Sequence, residues 1–196
     1  LEAFGRPVAA PSANPSGRIS PTRAKHVLAG LGGRIELVLD GGPCESGVES
    51  TVIDCTGDTA RILRPGGITR EAVAATLAAR GMTLATESPP TDEDAPASPG
   101  QLASHYAPSA PVRLNVTALE PGMELIGFGE TGGAGKLGLN LSPEGDLHEA
   151  AANLFQMMHA ADAAGAAVIG VAPVPDRGLG EAVNDRLRRA ATPRSL

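Results

Sequence analysis

Apolar residues recur along the chain at two spacings, and the switches between them mark out short strands and helices. Leu1-Glu2-Ala3-Phe4 reads as the last turn of a helix stopped by Gly5, so the chain is expected to open inside a domain. Pro7 to Ala10 is extended and leads into the loop Pro11-Ser12-Ala13-Asn14-Pro15-Ser16-Gly17. Ala24, Val27, Leu28 and Leu31 keep helical spacing, with Ser20 as the predicted N-cap, Pro21 in the first helical position and Gly32-Gly33 as the stop. Ile35 to Leu39 predicts a strand that ends in the turn Asp40-Gly41-Gly42-Pro43. Val48 to Ile53 and Arg61 to Leu63 predict a hairpin around Asp54-Cys55-Thr56-Gly57-Asp58. Thr69 is placed to cap a helix that bears Val73 and Leu77 and stops at Gly81.

The pattern then breaks. Glu87 to Gly100 holds four acids, no base and four prolines, the composition of a solvated tether. A second linker portion, Gln101 to Pro111, carries His105 and Tyr106. Beyond it, Val112 to Val116, Glu124 to Phe128, Leu137 to Leu141 and Ala167 to Val171 predict strands. One helix presents Leu147, Ala151, Leu154, Phe155 and Met158 on a single face, and a last helix presents Leu179, Val183 and Leu187. The predicted organisation is residues 1–82 as one α/β unit, 83–111 as linker, and 112–196 as a small α/β domain with helices against a mixed or parallel sheet.

Composition narrows the functional classes. Aromatic residues make up 2% of the chain, so the core must rest on Ala, Val, Leu and Ile, and base stacking on aromatic platforms is nearly excluded. The net charge of −6 also argues against a nucleic-acid binder, and direct tRNA binding is not expected. The two cysteines, Cys44 and Cys55, lack metal-ligand spacing and point to a reducing, cytoplasmic setting. The longest apolar stretch, Ala163 to Val174, is well short of the roughly 18 residues of a membrane span.

Four segments offer polar chemistry. Gly129-Glu130-Thr131-Gly132-Gly133-Ala134-Gly135-Lys136 imitates a phosphate-binding loop, but Glu130 would point a carboxylate at the phosphates and Leu137 supplies no hydroxyl for a metal. That reading is rejected. Ser12 and Asn14 offer a hydroxyl and an amide in a proline-stiffened loop, which on residue types alone local turn chemistry explains better. Glu49, Ser50 and Thr51 interrupt an otherwise apolar strand, with Ser50 on the opposite face from its neighbours. Arg64 stands beside Pro65-Gly66-Gly67, either solvated or placed to hold phosphate oxygens in its fork of donors.

Taken in order, Pro11-Ser12-Ala13-Asn14, Gly47 to Asp54 and Arg61 to Gly67 resemble the YrdC-like family. Ser98-Pro99-Gly100, His105-Tyr106-Ala107-Pro108, Pro173 to Asp176 and Asn184 to Leu187 resemble the long form of the threonylcarbamoyl-AMP synthases. The resemblance covers essentially the whole chain. It implies a partial YrdC-like twisted-sheet α/β domain followed by a small Rossmann-like α/β domain. It implies condensation of L-threonine, bicarbonate and ATP, with Mg2+ on the phosphate oxygens, to threonylcarbamoyl-AMP and pyrophosphate. A downstream threonylcarbamoyl transferase would then pass the group to tRNA. Ser12, Asn14 and Arg64 would bind nucleotide, Ser50 would hold threonine, and His105 with Tyr106 would form a lid, packing of Tyr106 between domains being the alternative. No residue is assigned as the catalytic group. The family's Lys-x-Arg pair is absent, since neither Lys25 nor Lys136 is followed two residues later by Arg, so residues 1–196 alone are expected to be inactive. Rival expectations are a carbamoyl-transfer protein of hydrogenase maturation, a non-enzymatic RNA-binding module, and a folding or assembly piece.

Overall fold

The computed structural model describes residues 2–86 and 104–193; the acidic tether predicted over 87–100 lies outside them, as do residues 101–103. The first unit contains α1 (Ala24–Leu31), β1 (Val52–Asp54), β2 (Thr59–Arg64), α2 (Arg70–Ala78) and β3 (Thr83–Leu84). β1 and β2 form the predicted antiparallel hairpin, with Ile53 opposite Ile62 and Asp54 opposite Arg61. Asp54 organises the turn, its Oδ1 accepting from Thr56 N at 2.9 Å and Thr56 Oγ1 at 2.7 Å. α2 starts where Thr69 Oγ1 accepts from Ala72 N, the cap expected from the sequence. The helix then returns the chain to a short parallel pairing of β2 with β3 that the sequence pattern does not announce.

Two local expectations in this unit are corrected. α1 begins at Ala24 rather than beside Ser20, and its N-cap residue Arg23 makes no side-chain cap bond. The Ser20 hydroxyl instead donates to Glu49 Oε1 at 2.7 Å, a partner 29 residues away. Residues 35–39 form no strand, and Leu37 and Leu39 are 74% and 86% exposed. An extended segment becomes a strand only by exchanging backbone bonds with a neighbour, and no described strand lies alongside.

The second unit contains β4 (Val112–Leu114), β5 (Met123–Ile126), α3 (Leu147–Ala163), β6 (Val168–Val171) and α4 (Leu179–Ala191). Its three strands are parallel in the order β4-β6-β5. α3 is capped by Asp146, whose Oδ1 accepts from His148 N and Glu149 N. Ala151, Leu154, Phe155 and Met158 of α3 meet Val183 and Leu187 of α4 in one core. The strand predicted from Leu137 to Leu141 is absent: that segment pairs with β5's extension through an isolated bridge between Gly127 and Asn140. Glu124 draws the preceding loop inward, its carboxylate accepting from Lys136 N at 3.0 Å and Leu137 N at 2.8 Å. The glycine-rich loop therefore folds back on β5 and opens no helix, as a phosphate loop would.

The two units share a core. Ile19 from the first and Tyr106 from the connecting segment are buried with Phe155, Leu154 and Val183 of the second. Tyr106 is 1% exposed, its ring centroid 5.4 Å from that of Phe155, with the Arg186 guanidinium 5.4 Å from its own. In this arrangement the ring is packed between the units, as in the alternative left open beside a lid. Burial drives this: a phenol ring removes more apolar surface from water than any other side chain this segment offers. Replacing Tyr106 with Ala should lower unfolding free energy by about 3–5 kcal/mol, the usual loss for a buried aromatic. Urea denaturation measures this, and a change below about 1 kcal/mol would show that the ring is not a packing anchor.

Candidate functional site

The end of the β1–β2 hairpin brings Ser50 and Arg64 together. Arg64 is 8% exposed, and its Nη2 and Nε donate to Ser50 O at 3.0 and 3.3 Å. Nη2 also lies 3.4 Å from Ser50 Oγ, so a hydroxyl and a guanidinium stand side by side. Gly66 allows this approach, and Gly47 allows a separate one to α3. A Cβ at Gly66 would fall on Glu49 O, Ser50 C and Thr51 N, and one at Gly47 would fall on the backbone of α3 at Ala151 and Ala152.

Glu49 faces away from this pair, into a buried charge cluster. Its Oε2 accepts from Arg186 Nε at 2.9 Å while Oε1 accepts from Ser20. Arg186 Nη1 donates to Pro65 O and Asp185 Oδ2, both at 2.7 Å, and Asp185 Oδ1 accepts from Arg189 Nε at 3.1 Å. Burial alone would push the Glu49 carboxyl up. The Arg186 charge and the hydrogen bonds outweigh it and hold the group below its usual range. His105 lies beside this cluster. Burial lowers its pKa and the nearby arginines add to that, while Glu49 works against them. His105 Nδ1 and Arg186 Nη2 are buried without a hydrogen-bond partner among the described residues.

The Ser12–Asn14 loop divides between two cavities. Ser12 lines one of about 390 Å³ with Ser20, Asp40, Cys44, Glu49 and Phe155, so both units contribute walls. Asn14 lines another of about 320 Å³ with Arg18, His26, His159 and Asp162. Asn14 Nδ2 is held by Arg18 O at 3.0 Å and Pro15 O at 3.3 Å, while its buried Oδ1 has no partner among the described residues. Ser50 and Arg64 line neither cavity. His26 and His159 stack at 4.0 Å across the junction of α1 and α3. His26 Nδ1 accepts from Thr22 N at 3.2 Å, and His159 Nε2 lies 3.1 Å from Ser20 O. Burial first, then the neighbouring His159, Lys25 and Arg23, lower the His26 pKa from 6.5 to about 4.

Arg186 was absent from the candidate residues read from sequence, although a signal existed. It falls on the stripe Leu179, Val183, Arg186, Leu187 and Ala190, all buried, so a charge at that spacing must meet partners inside. Among the described residues no group of three or more His, Cys, Asp or Glu is placed to hold a metal ion. No helix among them is long and apolar enough to cross a membrane.

Comparison with known proteins gives concordant matches. Residues 68–192 match the family described as threonylcarbamoyl-AMP synthase, C-terminal domain, and residues 1–66 match the Sua5/YciO/YrdC family, described as telomere recombination. The chain is 36% identical to the threonylcarbamoyl-AMP synthase of Bacillus subtilis, over 95% of this chain and 58% of that protein. It is 38% identical to that of Pyrococcus abyssi, over 97% and 59%, and 36% identical to that of Schizosaccharomyces pombe, over 95% and 52%. It thus spans between about half and three-fifths of the length of these relatives. A crystal structure of P. abyssi Sua5 complexed with L-threonine aligns with a TM-score of 0.76 at 34% identity, covering 97% of this chain and 59% of that one. A variant of that protein with an adjacent His and Tyr both changed to Ala aligns with a TM-score of 0.77 at 33% identity, over 97% and 58%.

Gly66→Ala should force the 49–51 and 64–66 segments apart and cost about 1–3 kcal/mol, as overpacking does. Chemical denaturation measures this, and a wild-type midpoint would mean that the close approach is not required. The histidine pair adds a pH dependence. With the folded pKa of His26 near 4 against 6.5 unperturbed, the folded state binds fewer protons than the unfolded state in that window. Stability therefore rises with pH through it and is lost as pH falls from 6.5 toward 4. His26→Gln, which keeps an acceptor for Thr22 N, should flatten that slope in unfolding experiments from pH 4 to 7. An unchanged slope would assign it to other groups.

Proposed function

The chain belongs to the threonylcarbamoyl-AMP synthase family, and from that premise we propose that it serves an enzyme that condenses L-threonine, bicarbonate and ATP into threonylcarbamoyl-AMP and pyrophosphate. The observation that carries this reading is the Ser50–Arg64 pair, an exposed hydroxyl and a buried, fixed guanidinium 3.4 Å apart at the hairpin end. The similarity to a solved relative that holds L-threonine supports the amino acid as substrate. The match to the synthases' C-terminal domain favours this reading over a carbamoyl-transfer protein of hydrogenase maturation.

In chemical terms, the threonine amine takes up bicarbonate and loses water to give a carbamate. A carbamate oxygen then attacks the α-phosphorus of ATP, and the bond from that phosphorus to the bridging oxygen of the β-phosphate breaks to release pyrophosphate. Such a step needs alignment and charge neutralisation more than a proton-transfer group. Ser50 would donate to or accept from threonine, and Arg64 would face phosphate oxygens. Ser12 and Asn14 would contact nucleotide from the proline-stiffened loop. His105, half-buried beside Tyr106, would border the closed site from the linker side. Mg2+ is expected with ATP and would supply charge neutralisation on phosphate oxygens, but the described residues build no ligand set for it. The product would pass to a separate threonylcarbamoyl transferase acting on tRNA.

The test uses the full-length protein and follows pyrophosphate release as a function of threonine, bicarbonate and ATP. Arg64→Ala should weaken ATP use, and Ser50→Ala should raise the threonine KM. A lost hydrogen bond to a charged group is worth about 1.5–3 kcal/mol, which predicts a roughly ten- to hundredfold effect. An unchanged threonine KM in Ser50→Ala would remove Ser50 from the threonine site.

A further inference from the structure

We propose that Arg186, carried by the C-terminal domain, is a positioning residue that sets the spacing between Ser50 and Arg64 in the other unit. This rests on the reading of those two residues as substrate groups. One planar side chain touches the hairpin at two places: Nε bonds Glu49 Oε2 at 2.9 Å and Nη1 bonds Pro65 O at 2.7 Å. Glu49 immediately precedes the Ser50 hydroxyl, and Pro65 immediately follows the Arg64 guanidinium. Successive Cα atoms are fixed about 3.8 Å apart, so a shift at either anchor passes directly to its neighbour. Arg186 therefore grips both segments one residue away from the chemistry.

Other contacts hold the grip in one orientation. Asp185 Oδ2 accepts from Nη1 at 2.7 Å, while its Oδ1 binds Arg189, so the acid is itself anchored. The Tyr106 ring lies 5.4 Å from the guanidinium carbon and helps leave the side chain 0% exposed. Glu49 extends the link through Ser20 toward the cavity that Ser12 lines. Gly67 N donates to Glu49 O at 3.0 Å, so the two gripped segments are also joined to each other.

Stability alone is a poor explanation of such an arrangement. Packed apolar residues of similar volume often do as well as or better than a buried ion pair. A guanidinium does something they cannot: its rigid fork addresses a carboxylate and a carbonyl at a set separation. Lysine offers a point charge on a flexible stem and cannot hold both at once in that geometry.

The test uses the full-length protein with Arg186→Lys, and, should it fold poorly, Glu49→Gln as a second variant that keeps the side-chain shape but removes the charge that holds Arg186. Amide hydrogen exchange is compared in residues 47–52 and 62–67 and, as an internal control, in α3 and β6. The expected result is faster exchange confined to the two hairpin segments. Adenylate formation should fall at least tenfold in kcat or in kcat/KM for threonine, while the Kd of a non-hydrolysable ATP analogue changes less than threefold. The double variant should lose little more than either single one, because both break the same link. Exchange that accelerates equally everywhere, or activity that falls only in step with the melting temperature, would reduce Arg186 to a stability residue and overturn the proposal. Unchanged exchange and kinetics would overturn it as well. A wild-type protein that forms no adenylate would instead sink the functional reading. The local exchange effect would then still report whether Arg186 sets the hairpin spacing.

Discussion

A guanidinium fully removed from water needs charged and polar partners, and this constraint at Arg186 organises the junction of the molecule. Its own helix supplies one acceptor, Asp185, and the others come from the first unit as the Glu49 carboxylate and the Pro65 carbonyl. The orientation of α4 against the hairpin is thus tied to a hydrogen-bonding requirement. Burial works against the Arg186 charge, and the Glu49 charge leads the effects that overcome it and raise its pKa. Breaking a buried pair by removing one partner typically costs about 3–5 kcal/mol, so the junction is held by the threat of an unpaired charge as much as by attraction.

Apolar packing follows the same line. The chain has three Phe and one Tyr, and Phe155 and Tyr106 both sit at the junction, where their rings lie 5.4 Å apart. Tyr106 takes a φ of 60°, a left-handed conformation uncommon for a bulky residue, at the point where the connecting segment turns into the core. Further polar links surround this centre. Arg70 of α2 forms a fork with Glu181 of α4, and Arg23 reaches Gln156 of α3 at 2.9 Å. These partly exposed links contribute less individually, because solvent screens them.

This arrangement gives the hairpin two faces with separate tasks. The alternation of side chains sends Glu49 toward the charge cluster and leaves Ser50 exposed on the other side. Arg64, Pro65 and Gly66 then present in succession a cation, a carbonyl for Arg186 and a position with no room for a Cβ. A site built in this way is precise because its supporting contacts are buried together with Arg64, while the Ser50 hydroxyl remains at the surface.

The sequence by itself determined the elements whose signals are local. The stripes of α3 and α4, the Thr69 cap and the turn around Asp54 depend on residues within a few positions of one another, so spacing alone reveals them. It also identified the family through runs such as Pro11 to Asn14 and Gly47 to Asp54, and placed Ser50 and Arg64 in the same region. Only the tertiary structure decided the rest. Residues 35–39 and 137–141 have strand-like patterns, yet a strand exists only with a partner, and the partner is a property of distant chain. Ser20 had a plausible local bond as a helix cap and made a long-range one to Glu49 instead. Tyr106 packs at the junction because the space beneath it is shaped by Phe155 and Arg186, 49 and 80 positions further along the chain. Periodicity shows which side of an element seeks burial; which groups wait there is set by contacts that no local window contains.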